Sequence, residues 1–93
     1  MLILPEKFTK YGFTFKLERR NKKAAIYKVI LQDDKPYTES YEVILPVIST
    51  KKFLDGGWKD SKPYETYPNS SLWGVRGWSF TTLAYAMAKY NQL

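Results

Sequence analysis

The sequence predicts an α+β fold: a three- to four-stranded antiparallel sheet, ordered β-β-β-(β)-α, with one C-terminal helix packed across the aromatic face. Three stretches of alternating apolar residues before residue 49 predict the strands, and a helical spacing after Ser79 predicts the helix. With 93 residues, 17% of them aromatic, the chain is expected to form a single domain, residues 1–93, around a core of large rings.

The first two strands are predicted over residues 10–17 and 24–31, separated by a polar turn. Odd-numbered apolar residues lie on one face of each strand. Keeping both sets on the core side requires an odd-length loop of three or five residues centred on Asn21. This register pairs Phe15 with Tyr27 and leaves the side chain of Ile26 on the outer face. The other expected pairs are Leu17 with Ala25 and Phe13 with Val29.

The third strand is predicted over residues 37–48, after a turn at 32–36, with Pro46 marking an edge or a bulge. Residues 49–71 show no sustained period and are expected to form a long loop, in which Phe53-Leu54 could form a short helical turn. A short fourth strand is possible over residues 72–78.

The helix is predicted to begin after Ser79 as N-cap and to end near Asn91. Its inward face comprises Phe80, Leu83, Ala84, Met87 and Asn91, with Tyr90 beside them. The expected core consists of Phe13, Phe15, Leu17, Tyr27, Val29, Tyr41, Val43, Leu45, Trp78, Phe80, Leu83 and Met87.

Several classes of protein are disfavoured by composition. The chain contains no cysteine and no histidine, which excludes disulfides, thiolate or imidazole zinc sites, and Cys- or His-based catalysis. Five carboxylates occur in turns and in the long loop: Asp33, Asp34, Asp55, Asp60 and Glu65. Their spacing is not that of a catalytic pair or a metal site. We therefore expect a protein that is not an enzyme and has no cofactor or metal.

The net charge of +6 is concentrated near the N-terminus: residues 1–28 contain eight basic and two acidic side chains, whereas residues 29–93 contain seven of each. A basic segment of this kind favours polyanion partners. The candidate nucleic-acid-binding residues are Lys16, Arg19, Arg20, Lys22, Lys23, Lys28 and Arg76. The alternative is a solvated turn that contributes only solubility. The sheet-face aromatics are expected in the core, so backbone contact rather than base stacking is the expected mode.

The predicted helix has an unusual outer surface, because Lys89 is the only charged residue between Ser79 and Leu93. Either the long loop or another chain would cover this surface. The second functional hypothesis is therefore a protein-interaction module or homodimer that uses Thr81, Tyr85 and Ala88.

Two further groups of residues have alternative interpretations. The loop aromatics Trp58, Tyr64 and Tyr67 could form a ligand pocket or partner contact, or simply cap the core. Gly74 and Gly77 lack the pattern of a phosphate loop and instead indicate close packing against Trp73 and Trp78, or positive φ.

No apolar run is long enough to span a bilayer and no signal sequence is evident, so a cytoplasmic location without membrane contact is expected. The Trp-Gly-x-x-Gly-Trp segment before the helix resembles segments of small bacterial or phage proteins, a resemblance that implies no function. The β-β-β-α order is similar to that of double-stranded-RNA-binding domains, but their first helix and the basic start of their last helix have no counterpart here.

Overall fold

The computed structural model describes residues 1–31 and 39–93. Within these residues, five strands form one antiparallel sheet in the order β1-β2-β3-β4-β7, and β5 and β6 form a separate two-stranded sheet. The α+β class is confirmed, although the main sheet has five strands rather than three or four. The elements are β1 (Lys7–Lys10), β2 (Phe13–Arg20), β3 (Ala25–Leu31), β4 (Glu39–Ile44), β5 (Val47–Leu54), β6 (Gly57–Thr66), a 3₁₀ turn (Ser70–Leu72), β7 (Gly77–Phe80) and α1 (Leu83–Gln92).

An additional strand, β1, precedes the first predicted strand. It is connected to β2 by a two-residue turn in which Tyr11 and Gly12 have φ values of 54° and 79°. Positive φ at both central positions gives a twist that matches a hairpin, and glycine adopts it readily. The turn predicted at 32–36 lies outside the described residues.

The β2–β3 register differs from the predicted one. Phe15 lies opposite Val29 and Leu17 opposite Tyr27, so pairing is shifted by two residues while both odd-numbered sets stay on one face. The loop over residues 21–24 has an even length, which contradicts the prediction of three or five residues. A β-bulge between Leu17 and Arg19 accommodates the extra residue.

Each face of the main sheet carries its own hydrophobic core, which corrects the predicted position of the helix. The aromatic core, formed by Phe15, Ala25, Tyr27, Val29 and Ile44, is covered by Tyr67, Trp73 and the N-terminal segment rather than by α1. Helix α1 packs on the opposite face. The helix-side core comprises Ala24, Ile26, Val43, Ala86 and Tyr90.

The expected single core is therefore divided between two faces. Ile26, predicted on the outer face, is fully buried beneath the helix. Ile26 lies opposite Val43, so both side chains are on the helix side of the sheet. The predicted core residues Tyr41, Val43 and Leu45 therefore belong to the helix-side core. Trp73 and Trp78 likewise pack on opposite faces of the sheet.

Helix α1 starts later than predicted because Ser79 belongs to β7, where it lies opposite Glu42. Thr82 is the N-cap, and its hydroxyl accepts a hydrogen bond from Tyr85 N–H. Ala86 and Tyr90 are buried, whereas Leu83, expected in the core, is 39% exposed. The buried face is therefore rotated relative to the predicted one.

Most of the predicted loop over residues 49–71 is a β-hairpin. Phe53-Leu54, expected in a helical turn, ends β5, and Asp55 and Gly56 form a two-residue turn with φ values of 48° and 77°. An Asp-Gly pair between apolar residues is a strong hairpin signal. The predicted third strand is also divided, since Pro46 lies between β4 in the main sheet and β5 in the hairpin. Among the described residues, no helix has both the length and the apolar character needed to cross a bilayer.

Candidate nucleic-acid interface

Three lysines form a row across adjacent strands of the main sheet. Lys7 of β1 lies opposite Lys16 of β2, which lies opposite Lys28 of β3. Directly paired residues share a face with Cβ atoms about 5 Å apart, and like charges in such positions repel each other. Sheet stability alone therefore does not favour this arrangement, which places three basic side chains next to each other on one face of the sheet.

The lysine row lies on the same face as α1, because Lys28 is paired with Tyr41 and Tyr41 packs in the helix-side core. The helix contacts β3, β4 and β7. Lys7, Thr9 and Lys16 are exposed to solvent. The β1–β2 half of this face is thus open to a partner.

Arg19 joins the lysine row through the bulge. It lies opposite Ile26, whose side chain packs beneath the helix, so Arg19 is on the face of Lys16 and Lys28. Without the extra residue in β2, Arg19 would point to the aromatic-core face, as Phe15 and Leu17 of the same strand do. We call Lys7, Lys16, Arg19 and Lys28 the basic face.

The loop over residues 21–24 carries Lys22 and Lys23, both exposed, at the end of the β2–β3 hairpin. Asn21 holds this loop, because its Oδ1 accepts hydrogen bonds from the N–H groups of Lys23 and Ala24 at 2.8 and 2.7 Å. Two cations therefore extend the positive surface beyond the end of the sheet.

Arg20, one of the predicted binding residues, is engaged elsewhere. It lies opposite Ala25 on the aromatic-core face, and its guanidinium forms an ion pair with Glu65. Glu65 also accepts a hydrogen bond from Leu4 N–H at 3.0 Å. Burial alone would raise the pKa of Glu65, but the bonds from Arg20 and Leu4 and the charge of Arg20 lower it overall. Arg20 thus ties β2 to β6.

Arg76 is also separate from the basic face. Its Nε donates to the Leu45 carbonyl at 3.1 Å and its Nη2 to the Pro46 carbonyl at 2.6 Å. These bonds hold the connection between the main sheet and the hairpin. Lys28 has a partner as well: its Nζ lies 3.3 Å from a carboxylate oxygen of Glu39, and this hydrogen bond raises the pKa of Lys28.

Sequence reasoning missed Lys7, which completes the row. The available signal was weak: Phe8 is apolar between the polar Lys7 and Thr9, followed by a Tyr-Gly turn. Four residues of alternation are too few to establish a strand without its partner.

The residues predicted for a protein interface remain accessible on α1 and just before its N-cap. Thr81, Tyr85 and Ala88 are exposed, and the Tyr85 side chain is 67% accessible. The one charged side chain of the helix, Lys89, lies 4.2 Å above the Trp78 ring.

The three loop aromatics separate in the structure. Tyr67 packs against the aromatic core, as the core interpretation expects, whereas Trp58 is 68% exposed and contacts Phe53 in the hairpin. The Tyr64 hydroxyl donates to the Lys51 carbonyl at 2.8 Å. Of the loop carboxylates, Asp60 lies 3.3 Å from Lys51 and Glu65 binds Arg20.

A second candidate site lies on the aromatic-core face. Tyr67 and Trp73 line a cavity of about 700 Å³ together with Glu42, whose Oε1 accepts a hydrogen bond from the Tyr67 hydroxyl at 2.6 Å. Trp73 Nε1 donates to Ser79 Oγ at 3.1 Å, which fixes the indole at the cavity wall. Burial raises the pKa of Glu42 more than the Tyr67 hydrogen bond lowers it.

The raised pKa of Glu42 predicts a dependence of stability on pH. Folding favours the protonated form of the Glu42 carboxyl. The resulting contribution to stability is fully present below the unfolded pKa and is lost as pH rises through the folded pKa. Glu42→Gln keeps an acceptor for Tyr67 without the charge. We expect the stability of the variant relative to wild type to increase as pH rises from the unfolded pKa of glutamate to neutrality, measured by urea unfolding at several pH values. A stability difference independent of pH would contradict this expectation.

Gly77 is expected to be intolerant of a side chain. A Cβ at this buried position would overlap the six-membered ring of Trp73, which the bond to Ser79 holds in place. Gly77→Ala should reduce the free energy of unfolding by about 1–3 kcal/mol, the usual range for an overpacked site. Gly57→Ala, where a Cβ meets no atom within 4 Å, is the matched control. Equal stability of the two variants in thermal unfolding would contradict the packing argument.

No family model, curated protein or solved structure matches this chain. The function is therefore inferred from the geometry and charge of the described residues.

Proposed function

We propose that this protein is a non-enzymatic, nucleic-acid-binding accessory protein that contacts the phosphate backbone through the basic face and the adjoining loop. The observation that carries the proposal is the row of Lys7, Lys16 and Lys28 in direct register on three neighbouring strands. We expect the protein to act in the cytoplasm.

The spacing of the row suits a phosphate backbone. Neighbouring strands lie about 4.8 Å apart, so the row spans about 10 Å across the sheet. Lysine side chains are long and carry three donors on a compact charge, so they reach phosphates over a range of positions. Lys22 and Lys23 extend the contact along the end of the hairpin.

The same surface supports little reading of base sequence. The residues in register next to the row are Thr9, Thr14 and Ile30, and none of them is aromatic. Base-stacking sheets instead present aromatic rings to the nucleic acid. We therefore expect binding driven by charge, with little difference among sequences of equal length.

A salt titration tests this function. Neutralising five phosphates with Lys7, Lys16, Arg19, Lys22 and Lys23 should give a slope of log K against log salt of about −4 to −5 on duplex DNA. Fluorescence anisotropy with two labelled duplexes of unrelated sequence measures the slope and the sequence preference. Absence of binding at low salt, or a slope near zero, would reject the proposal.

A second candidate function is self-association through α1. It is favoured by the position of Lys89, which lies over Trp78, so that the exposed residues Thr81, Tyr85 and Ala88 present no charge to solvent. A solvent-facing helix surface normally carries charged residues. A second copy of the chain would cover this surface in a two-fold dimer.

Tyr85→Glu or Ala88→Glu is expected to weaken such a dimer at least about tenfold, because a carboxylate would be buried without a partner. Sedimentation equilibrium at micromolar concentration measures the change, with Gln92→Glu at the helix end as the matched control. A wild-type protein that is strictly monomeric at these concentrations would reject self-association.

A further inference from the structure

The cavity on the aromatic-core face contains a carboxylate that the proposed function does not use. Glu42 lies between Tyr27 on β3 and Ser79 on β7, and Ser40 lies two residues before it on the same strand. These three polar residues, Ser40, Glu42 and Ser79, line the sheet side of the cavity. They form a short polar strip beside the aromatic part of the cavity lining.

Aromatic side chains form much of the remaining wall, together with Val29, Pro68, Asn69 and Ser70. Tyr67 lies edge-on to Phe15 at 5.4 Å between ring centroids and stacks with Trp73 at 6.5 Å and an interplanar angle of 25°. Phe13 lines the same wall. Such surfaces bind flat, conjugated ligands through ring stacking. The volume of about 700 Å³ is in the range of sites for small organic ligands.

The Glu42 carboxylate restricts the ligand to one that donates hydrogen bonds. A carboxylate offers about four lone-pair positions, and the Tyr67 hydroxyl uses one of them on Oε1. The remaining positions suit a pair of adjacent N–H donors. Among the common nucleobases, only guanine presents two neighbouring donors, N1–H and the N2 amino group, on its Watson–Crick edge. Adenine, cytosine and uracil each place an acceptor next to the donor.

The charge around the opening disfavours a cationic ligand. Lys10 is the basic residue among the described residues that line the cavity. An alkylammonium or arginine side chain at the opening would be repelled by Lys10, whereas the phosphate attached to a neutral base would be attracted by it. Lys10 is exposed and can approach such a phosphate.

We propose that this cavity binds a guanine nucleotide, with the base against the Tyr67 and Trp73 rings, its N1–H and N2 donors on Glu42, and its phosphate near Lys10. The cavity and the basic face lie on opposite faces of the main sheet. The proposal therefore does not depend on the proposed function.

The first experiment compares guanosine and inosine monophosphates, which differ only in the N2 amino group, by isothermal titration calorimetry. Guanosine monophosphate should bind at least about tenfold more tightly, because one hydrogen bond to a charged acceptor is lost in inosine. Equal affinity of the two nucleotides, or no binding of either at millimolar concentration, would overturn the proposal without the use of any variant.

Two variants identify the groups responsible. Glu42→Gln should abolish most of the preference for guanosine over inosine, and Lys10→Gln should weaken the monophosphate but not the nucleoside. The variant Lys7→Gln/Lys16→Gln/Arg19→Gln, altered on the opposite face, should retain wild-type affinity for guanosine monophosphate. A Glu42→Gln protein that remains folded by circular dichroism and keeps the full preference would contradict the assignment.

A third arm distinguishes the source of the base. Oligothymidine with one central guanine is compared with the same oligonucleotide carrying inosine. Tighter binding of the guanine strand assigns the site to a base within single-stranded nucleic acid, whereas discrimination between monophosphates alone assigns it to the free nucleotide. If guanine and its inosine analogue bind equally well both as monophosphates and within the oligonucleotide, the proposed site is rejected. Loss of salt-dependent duplex binding alone would reject only the proposed function.

Discussion

Replacing Arg20 by methionine is expected to lower the free energy of unfolding by about 3 kcal/mol, because Glu65 would keep a buried charge without its main partner. The two side chains are only 18% and 5% exposed, so water cannot replace the lost contact. For a domain of this size, the loss corresponds to a decrease in Tm of more than about 10 °C. Thermal and urea unfolding measure the change.

Arg19→Met is the matched control, since Arg19 is exposed and adjacent in sequence, and its effect should stay within about 0.5 kcal/mol. The double variant Arg20→Met/Glu65→Met should recover part of the loss, because it removes both buried charges. Recovery should be incomplete, since Leu4 N–H loses its acceptor. Equal effects of Arg19→Met and Arg20→Met would contradict the structural role of the ion pair.

The Arg20–Glu65 pair also has a defined dependence on pH. Because the folded state lowers the pKa of Glu65, its stabilising contribution is present above the unfolded pKa and is lost as pH falls through the folded pKa. The stability difference between wild type and Arg20→Met should therefore decrease on acidification. For Glu42, by contrast, the folded state raises the pKa, so its stabilising contribution is lost as pH rises.

Neutralising the basic face is expected to produce the largest functional effect. In Lys7→Gln/Lys16→Gln/Arg19→Gln, three phosphate contacts are lost, so the salt slope should decrease in magnitude by about 3 and affinity near 50 mM salt should fall by about tenfold per contact. Fluorescence anisotropy on a short duplex measures both quantities. Arg20 is excluded from this variant because its loss would destabilise the fold.

The hairpin of β5 and β6 offers a control with the same loss of charge. Lys52, Lys59 and Lys62 are exposed on this hairpin. Their replacement by glutamine removes as many positive charges as the basic-face variant does. This control should change the slope much less than the basic-face variant. Equal losses in the two variants would show that net charge rather than the basic face determines binding.

The sequence was sufficient to predict the local periodicity of β2 and β3. Phe15, Tyr27 and Val29 belong to one core, as their odd positions indicate. Alternation alone places Ile26 on the outer face, and it therefore does not predict the second core that lies there. A nearly continuous apolar run around Ile26 and Tyr27 is typical of a strand buried on both faces, and this was the overlooked signal.

The candidate interface was predicted in part. Alternation places Lys16 and Lys28 on one face, and in the structure they lie directly opposite each other. Which of Arg19 and Arg20 shares the face of Lys16 depends on the bulge in β2. Alternation in a single strand does not specify a bulge, because the extra residue is defined only relative to the partner strand.

The helix boundary shows the same dependence on tertiary structure. Ser79 and Thr82 are both suitable N-cap residues, and local propensity does not decide between them. Pairing of β7 with β4 extends the strand through Phe80, so the helix begins after Thr82. Asp55-Gly56, by contrast, was a local hairpin signal that sequence reasoning could have used.

The most direct test of the central claim is to map the surface that contacts nucleic acid. Titration of a short duplex into ¹⁵N-labelled protein, followed by amide chemical shifts, should perturb residues around Lys7, Lys16, Arg19 and the loop at 21–24 first. Amides around Trp58 and Tyr85 should change little. Perturbations confined to the β5–β6 hairpin or to α1, with none on the basic face, would contradict the proposed interface.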